Sequence, residues 1–230
     1  MADHSEQKDA PKLSLTLAAG QSVESDQGIT LAFPTPLLQQ SLPGAEFLNK
    51  GLRRQILELE KSSIGRKVSN HGGFQSDGNL FNLQTAELKV LGQAIELGFR
   101  SLYRNLVPEQ PALAAAKIDL TGWANINRDG HYNRSHSHAG VVWSGVYYVD
   151  NGQPDQAVPL NGVLELIDPR RLAGVSPIPG FPSGHSLVVV PAAGLMTIFP
   201  GWLEHWVTPY RGKGERISIA FNIVCLPAAT

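Results

Sequence analysis

The sequence predicts a mainly β protein, a two-sheet jelly roll or barrel with two helices packed outside one sheet. Three observations carry this. Apolar residues recur at helical spacing in two segments before residue 106; after Ala116 the pattern changes to short alternating runs set off by Gly, Pro, Asn and Asp. The chain has 230 residues, 42% hydrophobic and 17% charged, enough for one domain with a sizeable core.

Residues 1–28 are rich in Ser, Gln, Asp and Ala and read as a flexible tail, with LSLTL at 13–17 its one strand-like run. A single domain is expected over 29–230, helical over about 44–106 and β over about 117–225. The first helix runs from Gly44 to Lys61, with Phe47, Leu48, Leu52, Ile56 and Leu59 recurring among charged residues. Residues 62–82 are crowded with Gly, Ser and Asn and read as a loop over a pocket, with His71 within it. The second helix runs from Thr85 to Asn105; Leu88, Leu91, Ile95, Phe99 and Leu102 share a stripe, and Pro108 lies beyond its end. The strands follow as IDLTGWANI, GVVWSGVYYV, GVLELI, SLVVV, LMTIF, HWVTP and RISIAFNIV.

With 19 Lys+Arg against 20 Asp+Glu, there is no global basic field to attract nucleic acid or anionic lipid. No run approaches the ~18–20 apolar residues of a membrane span, and the polar start MADHSEQKDA is unlike a signal peptide. A soluble cytoplasmic protein is expected, with a homodimer compatible. The single Cys225 cannot form an internal disulfide and reads as an inert buried thiol.

Chemistry concentrates in the β half. If RSHSHAG is extended, His136 and His138 point to one face and can reach one ion, because side chains alternate with period two. His205 lies between Trp202, Leu203, Trp206 and Val207; it is either a third ligand or a hydrogen-bonded core imidazole. Arg216 opens a strand on which Arg216, Ser218, Ala220 and Asn222 share one face and Ile217, Ile219, Phe221 and Ile223 the other. An arginine inside a barrel mouth needs an anion, and its fork matches a carboxylate, with the Ser218 hydroxyl beside it. A small dicarboxylate satisfies both; the alternative is an ion pair with Glu215 or Asp168. His131 and His185 read as loop residues.

The ordered series NRDGHYNRSHSHAGVVWSGVYYV, GVLELIDPR and GLMTIFPGWLEHWVTPYRGKGERISIAFNIV resembles the 2-oxoglutarate- and Fe(II)-dependent oxygenases of bacterial and phage origin, a prolyl-hydroxylase-like branch. The resemblance covers roughly residues 118–224. It implies a double-stranded β-helix holding Fe(II), with His136 the first ligand and His205 the distal one. Arg216 and Ser218 then bind the far carboxylate of 2-oxoglutarate, helped by Tyr132 or Tyr147. Asn125 and Asn222 point into the same cavity, Trp143, Phe199 and Trp202 shield the metal, and Asn125, Trp143 and Trp202 border a substrate pocket. The implied reaction consumes O₂ and oxidises a small molecule or peptide.

One position departs from the family pattern. Most such enzymes carry His-x-Asp or His-x-Glu, whereas this chain has His138. Three neutral imidazoles leave a divalent ion its full charge. A carboxylate from Glu165, Asp168 or Glu204 is the alternative, with Asp168 foremost. Two other readings stay open: a cupin-like three-histidine enzyme with Ni, Mn or Zn that does not use 2-oxoglutarate, and a non-catalytic jelly-roll module binding through Trp143, Tyr147 and Tyr148.

Overall fold

The computed structural model describes residues 13–16, 22–25, 35–106, 116–170 and 185–226. The chain divides into Met1–Pro34 and Thr35–Thr230. In the first unit β1 (Leu13–Thr16) pairs antiparallel with β2 (Ser22–Ser25), Leu13 opposite Ser25. The rest of the tail expected over 1–28 lies outside the described residues, as does the segment 171–184.

The second unit opens with β3 (Leu38–Ser41) and α1 (Ala45–Ser62). Gly44 ends the preceding turn at φ 68°, in the left-handed region that glycine enters without strain. Leu52 and Ile56 are buried. Phe47, placed on their stripe from sequence, is instead 89% exposed. At 3.6 residues per turn it lies about 100° from Leu48 and outside the arc that faces the core. In α2 (Ala86–Leu106) all five predicted stripe residues are buried.

The expected loop over 62–82 is built into the sheets. Within it β4 (Asn70–His71) and β5 (Phe74–Gln75) are two-residue strands, followed by a 3₁₀ turn over Leu80–Leu83. The remaining strands are β6 (Lys117–Asn127), β7 (Tyr132–His136), β8 (Trp143–Pro154), β9 (Leu164–Ile167), β10 (Ser186–Val189), β11 (Leu195–Pro200), β12 (His205–Val207) and β13 (Gly212–Leu226). They form a six-stranded sheet, β3-β11-β8-β13-β6-β5, and a five-stranded sheet, β10-β9-β12-β7-β4. All neighbours are antiparallel.

Strand alternation gives the large sheet two different faces. Ile217, Ile219, Phe221 and Ile223 of β13 pack with Leu52, Ile56, Leu91, Ile95 and Phe99 of the helices. The opposite face meets the small sheet through a second cluster, Tyr148 and Phe199 against Leu164, Leu166 and Val189. The helices thus cover one side of the large sheet, leaving a cleft between the two sheets. Cys225 is half-buried against the helix-side core, and burial raises its thiol pKa. Among the described residues no helix is long and apolar enough to cross a membrane.

Candidate metal centre

β7 and β12 carry the cluster. His205 pairs with His136 while Val207 pairs with Asn133, so two residues of β7, Arg134 and Ser135, stand against one of β12, Trp206. This bulge breaks the alternation of β7 and turns both Asn133 and His136 into the cleft. β7 ends at His136, so the extended chain expected through RSHSHAG stops short of His138. His138 is held from outside the strand. Its N–H donates to the Gly201 carbonyl at 2.8 Å, and the Gly201 N–H donates to the Val142 carbonyl at 2.9 Å. Only glycine fits at 201, since a Cβ there meets the Val141 oxygen at 2.2 Å.

One nitrogen from each of His136, His138 and His205 lies within 4.8 Å of the others. The Nδ1 atoms face outward. That of His136 donates to the Arg134 carbonyl at 2.7 Å, and that of His205 to the Leu203 carbonyl at 2.8 Å. A carbonyl can only accept, so Nδ1 carries a proton in both rings, which leaves the lone pair of a neutral ring on Nε2. Nδ1 of His138 lies 2.6 Å from Asn222 Oδ1 and 2.7 Å from Ser144 Oγ, and Ser144 also donates to Asn222 at 2.6 Å. Burial pushes His205 down to about 3 and lowers His138, the latter partly offset by the hydrogen bond His138 donates to Asn222 Oδ1. Neutral imidazoles are the form that binds metal. Phe199 packs edge-on against His205, centroids 4.8 Å apart, and Trp123 stacks on His138 at 5.6 Å.

Arg216 lies in the same cavity, 2% exposed. Its one hydrogen bond to described residues runs from Nε to the Gly162 carbonyl at 2.9 Å. The expected alternative, an acidic partner, is not realised. Glu215 pairs with Arg53 at 2.7 Å and Arg128 at 3.6 Å, and Asp168 pairs with Arg170. Burial lowers the guanidinium pKa, and its carbon stands 5.3 Å from the Tyr148 ring centroid. The Tyr148 hydroxyl is itself buried without a partner, and burial pushes it up to about 12. An unpaired cation beside an orphaned hydroxyl is the donor set a carboxylate needs.

Asn125, Ser218 and Ala220 line the cavity with Arg216, as the alternation of β13 and its pairing with β6 require. Asn222 lies on that face too, but it holds His138 instead of an anion. Tyr147 is a correction. It stands opposite Ile219, in the helix-side core, and donates its hydroxyl to Asn49 at 2.6 Å. Tyr148, opposite Ser218, is the cavity residue. Tyr132 is displaced as well: with Asn133 facing the cleft it points elsewhere, stacked on His71 at 4.6 Å.

Trp143 packs on Phe99 in the helix-side core, and Trp202 is 53% exposed; neither lines the cavity. The three carboxylates considered as ligands are engaged elsewhere. Glu165 accepts from Trp206 Nε1 at 2.8 Å, Glu204 from Ser135 at 2.6 Å, and Asp168 from Arg170. His131 accepts the Arg128 N–H at Nδ1 and stays outside the cluster. Ser69, Trp123, Asn133 and Ser144 are contributors that no single motif announced.

Residues 121–222 match the family described as "Putative 2OG-Fe(II) oxygenase". No curated protein matches the sequence. The chain is similar in structure to a prolyl-4-hydroxylase of Pseudomonas putida, with 17% identity, 82% of this chain and 92% of that one covered, and a TM-score of 0.55. A prolyl hydroxylase of Trichoplax adhaerens in complex with a hypoxia inducible factor peptide fragment gives 14% identity, 82% and 83% coverage and a TM-score of 0.55. The alpha-ketoglutarate-dependent epimerase SnoN from nogalamycin biosynthesis gives 11%, 85% and 80%, and 0.56. At these identities the shared property is the fold, a double-stranded β-helix. The segment that matches the 2OG-Fe(II) oxygenase family model, 121–222, carries all three histidines and Arg216.

Proposed function

We propose that the protein is an Fe(II)- and 2-oxoglutarate-dependent dioxygenase that oxidises a C–H bond of its substrate. The observation that carries this reading is one cavity holding three imidazoles and a buried guanidinium that has no acidic partner among the described residues. Both halves fit the groups the family uses. Three neutral nitrogen donors suit a divalent first-row ion, and the Arg216 fork suits the far carboxylate of a 2-oxoacid. Bound together, Fe(II) and 2-oxoglutarate supply the oxidising power, with O₂ converting the cosubstrate to succinate and CO₂ and one oxygen atom passing to the substrate.

The chain's own residues bind and exclude. His136, His138 and His205 are the metal ligands in this reading, leaving the ion's other positions to ligands from outside. Asn222 and Ser144 fix the His138 tautomer, and the Arg134 and Leu203 carbonyls fix the other two. Arg216, Ser218 and Tyr148 take the distal carboxylate. Leu164, Phe199 and Val207 make the apolar wall that keeps water from the centre.

The test is anaerobic titration of Fe(II)-loaded protein with 2-oxoglutarate, following the visible metal-to-ligand charge-transfer band. A band in the native protein that is lost in both H138A and R216A is expected. A tightly bound metal with no band in the native protein overturns the reading in favour of a cupin-like three-histidine enzyme that uses no 2-oxoglutarate.

A further inference from the structure

The charge of the cavity does not close. Among the described residues lining it there is no Asp, Glu or Lys; Arg216 is its one fixed charge. His136 and His205 each donate from Nδ1 to a carbonyl, and an imidazole that ligates a metal through Nε2 adds no charge of its own. Glu165, Glu204 and Asp168 are committed to Trp206, Ser135 and Arg170. A divalent ion and a guanidinium together carry three positive charges, and a 2-oxoacid dianion cancels two. One positive charge is left in a cleft that Leu164, Phe199 and Val207 wall in part, where an uncompensated charge is disfavoured.

A second observation shows where a compensating ligand has contacts waiting. Asn125 is 7% exposed and lines the cavity, yet its side-chain amide makes no hydrogen bond with any described residue, and its Oδ1 is buried without a partner. Gln75, opposite Asn125 across β5 and β6, is 6% exposed and in the same condition. An amide turned through 180° offers two N–H donors in place of its oxygen.

We propose that the cavity binds a small monoanion in addition to the 2-oxoacid, held by the centre's residual positive charge and the Asn125 amide. This rests on the oxygenase reading for the identity of the dianion. The shared chemistry is a single negative charge on a compact acceptor, either a substrate carboxylate or an inorganic halide.

The test uses the full chain, loaded anaerobically with Fe(II) and 2-oxoglutarate and titrated with sodium formate, sodium benzoate and sodium chloride. Binding is read by calorimetry and by displacement of the visible band. Saturable binding is expected, weakened at least about tenfold in N125A. His138→Asp restores the missing negative charge and is expected to weaken the anion by a similar factor while the 2-oxoglutarate band persists. Should that variant lose its metal, Asn222→Asp places a charge beside His138 without altering a ligand atom, and the same weakening is expected. Benzoate above formate and chloride identifies the anion as part of an organic substrate; chloride equal to formate identifies an inorganic ligand. A normal 2-oxoglutarate band with no saturable anion binding, or binding indifferent to N125A, overturns the inference and leaves the oxygenase reading standing. Absence of the band with formate still bound in an Asn125-dependent way to the metal-loaded protein does the reverse.

Discussion

Replacing Arg216 with methionine separates the burden this arginine places on the fold from its service to a ligand. The native side chain is 2% exposed and makes one hydrogen bond, to Gly162, with no described carboxylate in ion-pair reach. Methionine forfeits that bond, worth about 1 kcal/mol or somewhat more for a charged donor. It also forfeits the contact with the Tyr148 ring, worth about 1–2 kcal/mol when desolvated. Against these stands the desolvation of an unpaired ion, several kcal/mol. The expected balance is a ligand-free variant more stable than the native protein by about 1–3 kcal/mol, the range seen when buried ions are replaced by apolar residues of similar volume. For a domain of this size that raises Tm by roughly 2–12 °C. The stabilisation that 2-oxoglutarate confers on the metal-loaded native protein disappears, because losing a buried charge pair with the ligand costs about 2–5 kcal/mol, at least about 30-fold in affinity. Thermal unfolding with and without metal and 2-oxoglutarate reads both effects. A ligand-free variant less stable than the native protein, or one that keeps the full 2-oxoglutarate shift, refutes the reasoning.

Three further outcomes are expected. Tyr148→Phe removes an orphaned hydroxyl, so it leaves the ligand-free Tm unchanged or raised while 2-oxoglutarate affinity falls about 3–10-fold by calorimetry; an unaltered affinity takes Tyr148 out of the site. Asn222→Ala frees the His138 ring, and metal affinity measured by chelator competition drops about 10–100-fold, whereas unchanged affinity denies His138 a role as ligand. The Arg128 guanidinium, 2.6 and 2.8 Å from its oxygens, holds the Glu60 carboxyl below its ordinary 4.5. Its ionised form therefore stabilises the fold above about pH 4.5 and that contribution is lost as pH falls through the lowered value. Solvent screening limits it to ~1 kcal/mol or less. In urea titrations Glu60→Gln should be slightly less stable than the native protein at pH 7, with the gap closing below about pH 4; a gap constant across that range removes the ion pair from the account.

The strand RISIAFNIV shows how much of the site could be read from residue order. Its alternation alone separated the cavity face from the helix-side face, and the structure divides it the same way, Arg216, Ser218 and Ala220 inward and Ile217, Ile219 and Phe221 outward. The neighbouring Tyr147 and Tyr148 could not be assigned by such a rule. Which parity of β8 faces the cleft depends on its pairing with β13, and that register shifts between Ile217 and Ser218. Tyr132 failed for a related reason, since the β7 bulge is a property of the pairing with β12 and leaves no local trace. Asn70–His71 and Phe74–Gln75 read as loop because strands of two residues have no period to detect. Ser69 and Asn133 reach the cavity only through those pairings. The histidines were legible as a set, but the manner of holding His138, from beyond the strand end, was not.

That manner of holding has a consequence for how such a site changes over time. The His138 main chain is anchored by one hydrogen bond to Gly201, whose N–H is tied in turn to Val142, and the one side-chain requirement in this stitch is the missing Cβ of Gly201. Val142 and Trp202, on either side of it, project 69% and 53% exposed. Their identities are not dictated by the chemistry behind them. A lineage could therefore redraw the surface that meets incoming molecules, one substitution at a time, while the histidine beneath keeps its place.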